Sequence, residues 1–86
     1  MTPILAHTTM KILALDLGKF KTVACIYQRN PDTGDVHEFT TVDTLRTEFT
    51  TLIRRYRADV LVFETSTAAG WLADLCDELE QPFLVA

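Results

Sequence analysis

Hydrophobic and polar positions change period several times along the chain, and each change marks an element. Lys11 to Leu17 (Lys-Ile-Leu-Ala-Leu-Asp-Leu) is an apolar run too short for a helix and without alternation, the pattern of a central strand buried on both faces. Gly18 ends it, and a tight turn at Gly18-Lys19 leads into Phe20 to Gln28, rich in aromatic and β-branched residues; the two runs predict a hairpin. Turn residues crowd Arg29 to Asp35, and Val36 to Val42 reads as a third, more polar strand at a sheet edge. The period then becomes helical. Leu45, Phe49, Leu52, Ile53 and Tyr56 fall on one helical face, with Asp43 or Thr44 as N-cap and Arg54, Arg55 and Arg57 in the last turn, where the helix dipole favours cations. Asp59 to Glu64 is another short buried strand. Thr65-Ser66-Thr67 offers the next N-cap, and Ala68, Trp71, Leu72, Leu75 and Leu79 form a second apolar helical face. Asp77, Glu78 and Glu80 oppose the dipole at its end, Gln81-Pro82 breaks it, and Phe83 to Ala86 begins one more buried strand.

The predicted order is β-β-β-α-β-α-β. Right-handed crossovers place the fourth strand beside the first, away from the second, so the expected sheet order is 3-2-1-4-5. Residues 1–9 show no periodicity and read as a leader, leaving 10–86 as the folded part. Such a mixed sheet is expected to carry helices on both faces, and the last strand reaches the C-terminus with nothing after it, so the chain reads as cut short.

Composition narrows the class. With 86 residues the chain holds one small domain at most, and 48% apolar residues with three Gly and three Pro give it a core and few breakers. Eight Lys and Arg against twelve Asp and Glu leave a net charge of −4, which argues against a broad basic nucleic-acid surface. Cys25 and Cys76, without Cys-x-x-Cys spacing, read as small buried hydrophobes in a reducing, cytoplasmic setting, and His7 and His37 have no companions at zinc-ligand spacing. No run is long enough for a membrane span, and no signal pattern opens the chain.

Two carboxylates carry the candidate chemistry. Asp16 ends the first strand and Glu64 the fourth, which in the expected order are parallel neighbours about 5 Å apart, at the strand ends where open α/β sheets bind ligands. Converging carboxylates repel unless a divalent cation bridges them, and oxygen-only ligands select Mg²⁺ or Mn²⁺. Such a centre activates a water or hydroxyl against a phosphodiester and stabilises the leaving oxygen. The plain alternative is that Asp16 caps the Leu17-Gly18 turn and Glu64 pairs with Lys19 or Lys21. Trp71 reads as core rather than a base-stacking platform, Thr65, Ser66 and Thr67 as caps rather than nucleophiles, and Gly18 as a turn residue. Arg46, Arg54, Arg55 and Arg57 form the only basic concentration, a solvated helix end by default.

The strings Met10 to Tyr27, Asp59-Val-Leu-Val-Phe-Glu64 and Thr67-Ala-Ala-Gly-Trp-Leu-Ala-Asp-Leu-Cys76 together resemble the N-terminal region of the DEDD transposases of insertion-sequence family one-ten, relatives of the Piv-type DNA invertases. The resemblance covers Met10 to Ala86. It implies a ribonuclease-H-like, RuvC-like α/β domain in which four acidic residues hold Mg²⁺, the first two matching Asp16 and Glu64. It also implies DNA as partner, with a guide RNA in some members, and action in transposition or site-specific recombination. The family's other two aspartates, spaced Asp-x-x-Asp on a later helix, and its serine-bearing C-terminal domain have no counterpart here. Asp74 and Asp77 show that spacing but precede the fifth strand, so the role does not pass to them. The resemblance therefore implies a chain with two of four ligands, weak for metal and inactive alone, whose uncovered apolar surface favours a homo-oligomer. Two other readings stand beside it. An actin-like ATPase fragment would use Asp16-Leu17-Gly18 as a phosphate turn, and a small interaction module would regulate full-length transposase.

Overall fold

The protein, a computed structural model, is described over residues 10–86; the leader assigned to residues 1–9 lies outside the described residues. Seven elements follow in order: β1 (Met10–Leu17), β2 (Lys21–Arg29), β3 (Val36–Asp43), α1 (Arg46–Tyr56), β4 (Val60–Phe63), α2 (Ala69–Glu78) and β5 (Phe83–Val85). They build one five-stranded sheet in the order β3-β2-β1-β4-β5, as the crossover rule predicts. β1, β2 and β3 form the antiparallel meander, whereas β4 pairs parallel with both β1 and β5.

Both helices lie on one face of this sheet, and among the described residues the other face carries none. The crossovers β3-α1-β4 and β4-α2-β5 advance across the sheet in the same direction, so one hand puts both helices on one side. Their apolar stripes join a single core: Leu13 and Leu15 of β1, Ala24 and Ile26 of β2, and Leu61 and Phe63 of β4 pack with Phe49, Leu52, Ile53, Leu72, Leu75 and Cys76. Phe49 stacks on Trp71 with ring centroids 5.4 Å apart, so Trp71 belongs to the helix packing, as its position on the stripe predicts. Strand residues of the opposite parity face away from the helices. Cys25, expected in the core, is therefore only half-buried, because its neighbours Ala24 and Ile26 take the core side.

The caps differ from those expected. α1 has Leu45 at its N-cap, in extended conformation and with no side-chain cap, because Asp43 pairs with Lys21 and the Thr44 hydroxyl donates to the Gly18 carbonyl at 2.8 Å. α2 is preceded by Ala68, again without a side-chain cap; Ser66 instead closes a turn before the helix, its Oγ accepting from the Ala68 amide at 3.2 Å. Arg46 stands at the opposite end of α1 from Arg54 and Arg55 and pairs with Glu78 of α2, so it is no part of a basic patch. That pair anchors the acidic end of α2, which the dipole argument left weak.

Candidate functional site

The register of β1 on β4 sets the site. The Lys11 amide donates to Asp59 Oδ2 at 2.8 Å and the Asp59 amide donates back to the Lys11 carbonyl at 2.8 Å, which locks the start of β4 to the start of β1. From there the strands run in step, Ile12 beside Val60 through Leu15 beside Phe63. Asp16 and Glu64 are the residues that directly follow this last pair, at the carboxyl ends of neighbouring parallel strands. Parity does the rest. Leu15 and Phe63 point into the core at 5% and 1% exposure, so the next residues of both strands turn to the open face.

Asp16 and Glu64 line the same concavity of about 510 Å³, and both are exposed. Its polar rim continues into Thr65 and Ser66, and its floor on the β2-β3 side is apolar, with Val23, Cys25 and Phe39. Neither carboxylate has a hydrogen bond or ion pair among the described residues. Lys21, one of the cations that the plain alternative assigned to Glu64, pairs with Asp43, and Lys19 lies over the Phe20 ring with its nitrogen 5.3 Å from the centroid. Nor does Asp16 cap the turn after it. Gly18 sits there because an added Cβ would lie 2.2 Å from the Lys21 carbonyl oxygen, and the Thr44 hydroxyl donates to the Gly18 carbonyl.

The donor set is oxygen only: two carboxylates with two hydroxyls at the rim. It fits a hard divalent cation that keeps most of its ligands as water, and it is poor in ligands for zinc. Among the described residues there is no group of three or more His, Cys, Asp or Glu side chains placed to hold a metal. The apolar floor was not legible as part of a site. Its only signal was the odd-numbered positions of β2, and the continuous apolar run hid them. Among the described residues no helix is long and apolar enough to cross a membrane.

No family model matches the sequence, and no curated protein matches it. Solved structures do. A Fowlpox virus resolvase, crystallised with its substrate Holliday junction DNA, superposes with a TM-score of 0.70 at 13% identity, over 90% of this chain and 60% of that one. A member of the Ppx/GppA protein family from Aquifex aeolicus gives a TM-score of 0.53 at 14% identity, over 92% of this chain and 35% of that one. The chain thus spans less than two thirds of either neighbour. At such identities the likeness is one of fold. The fold is of the ribonuclease-H-like, RuvC-like class, mixed α/β with sheet order 3-2-1-4-5 and two helices.

Proposed function

We propose that the chain is part of a ribonuclease-H-like nuclease or recombinase domain acting on DNA phosphodiesters, of the DEDD transposase type of insertion-sequence family one-ten. The observation that carries the reading is the juxtaposition of Asp16 and Glu64 in one concavity, unpaired with any cation of the described residues. DNA as partner is supported by the resolvase of like fold, whose structure contains Holliday junction DNA. The family resemblance of the Asp16, Glu64 and Thr67 to Cys76 strings supports the transposase assignment and a guide RNA as further partner, and two cysteines without disulfide or Cys-x-x-Cys spacing support the cytoplasm as place of action.

In this reading Asp16 and Glu64 would hold Mg²⁺ or Mn²⁺, which would supply Lewis-acid chemistry for phosphodiester hydrolysis or transfer. The chain's own residues do the positioning. Rigid neighbouring strands hold the two carboxylates at fixed spacing, and their paired negative charge repels a bare phosphate, so binding of DNA there depends on the cation. Thr65 and Ser66 offer hydroxyls at the rim to a phosphate oxygen. With two acidic ligands of four, binding is weak and strand cleavage by residues 10–86 alone is not expected. The actin-like reading is the weaker one: it leaves Glu64 without a role, and a second phosphate loop has no counterpart among the described residues.

A Mn²⁺ titration by calorimetry, comparing the wild-type chain with Asp16→Asn and Glu64→Gln, tests the site. The expected result is one weak site that each substitution abolishes while the circular dichroism spectrum is unchanged. No heat at millimolar Mn²⁺ with a folded wild-type chain, or binding indifferent to both substitutions, overturns the reading.

A further inference from the structure

The β3 edge is unusual in its openness. β3 is eight residues long, Val36 to Asp43, and among the described residues pairs with β2 on one side only, in an unbroken register without a bulge. The opposite edge, β5, has three residues. Edge strands are ordinarily protected by Lys, Pro, bulges or shortness. The sequence Val-His-Glu-Phe-Thr-Thr-Val-Asp contains no Lys, Arg or Pro, and it exposes Phe39 at 69% and Val36 at 56%.

The strand is also complementary to itself. A twofold axis normal to the sheet requires residues of like parity to face one another across an antiparallel pair. Centred on Glu38, that pairing sets two carboxylates opposite each other and is repulsive. Centred on Thr40, it sets Glu38 against Val42 and Phe39 against Thr41. Centred on Phe39, it opposes Val36 with Val42, His37 with Thr41, Glu38 with Thr40, and the Phe39 ring with its own copy. Only this last register pairs aromatic with aromatic; it also pairs Val36 with Val42 and, unlike the register centred on Glu38, leaves no like charges facing.

We infer that β3 is a pairing edge for a second copy of this chain, joined antiparallel about Phe39 into a continuous ten-stranded sheet with both Asp16–Glu64 concavities on the same side. Seven residues of strand make a small contact, so the dimer is weak and concentration-dependent. Each copy carries a net charge of −4, so screening strengthens it: affinity rises several-fold from low to high salt, the reverse of an ion-pair interface.

Sedimentation of the wild-type chain from micromolar to near-millimolar concentration tests this, together with oxidation of Phe39→Cys in a Cys25→Ser background. Self-paired Cα atoms in antiparallel strands lie about 4.5–5.5 Å apart, inside the span of a disulfide, so Phe39→Cys is expected to cross-link rapidly and Thr41→Cys slowly. Phe39→Lys is expected to give a monomer with an unchanged melting curve. Val36→Lys, at the end of the same edge, gives the same reading if Phe39→Lys fails to fold. A wild-type monomer at every concentration overturns the inference. So does a dimer that survives both lysine variants, or one lost in Leu84→Lys alone, which places the contact at the other side of the sheet.

Discussion

The Thr22 hydroxyl, fully buried, donates to the Thr44 hydroxyl at 2.8 Å, because the Thr44 proton is already committed to the Gly18 carbonyl. This relay ties the β1-β2 turn, β2 and the entry to α1 together next to Asp16. Thr44→Val keeps the shape and removes the acceptor, leaving a buried hydroxyl unpaired at a cost of about 1–3 kcal/mol. Urea unfolding is expected to show that loss for Thr44→Val and little change for Thr44→Ser. Equal stability of all three would mean the relay contributes nothing.

α2 ends in a Schellman motif: the Gln81 amide reaches the Cys76 carbonyl at 2.8 Å and the Glu80 amide reaches the Asp77 carbonyl at 3.2 Å. The motif wants a left-handed residue, and Glu80 supplies it at φ 56°. Glycine removes the Cβ penalty and one carboxylate from the negative end of the helix dipole, so Glu80→Gly should stabilise the chain by about 1 kcal/mol. Thermal denaturation showing a lower melting temperature for Glu80→Gly would contradict the assignment.

The two thiols differ in environment. Burial, with a smaller contribution from the Asp77 charge, pushes the Cys76 thiol up to about 11, whereas Cys25 is half-buried on the open face. At pH 8 a thiol reagent should therefore titrate one cysteine in the native chain and two in denaturant, with Cys25→Ser abolishing the native reaction. Two fast native thiols would show that the core around Leu72 and Leu75 opens readily.

Tyr27 predicts an alkaline limb. Its hydroxyl donates to Asp35 at 2.7 Å, and that hydrogen bond, then burial, then the Asp35 charge raise its pKa above the ordinary value of 10.0. The folded chain thus holds this proton more tightly than the unfolded one. The resulting stabilisation is fully present below pH 10 and is lost as pH rises through the folded pKa. Absorbance titration at alkaline pH should show Tyr27 ionising above pH 10 in the native chain, moving down in Asp35→Asn. A wild-type Tyr27 that ionises no later than in Asp35→Asn would count against the hydrogen bond.

The sequence by itself determined the elements and their order in the sheet. Strand and helix periods, the Gly18 turn and the handedness of crossovers are local or general rules, and they suffice to put β1 next to β4. Asp16 and Glu64 were legible as candidates because a charge at the end of an apolar strand stands out against its neighbours. What only the tertiary structure decided depended on partners distant in the chain. Asp43 and Thr44 look like caps within their own segment, but Lys21, Thr22 and Gly18 claim them across the sheet. Cys25 reads as core because an apolar run does not say which of its faces is covered. That both helices fall on one side, leaving Val23, Cys25 and Phe39 beside the carboxylates, follows from two crossovers of one hand moving in one direction, a property of the assembled sheet. The step of β4 along β1 was likewise fixed by the pair of hydrogen bonds between Lys11 and Asp59, one to the Asp59 carboxylate and one between backbones, 48 residues apart, which no period along the chain encodes.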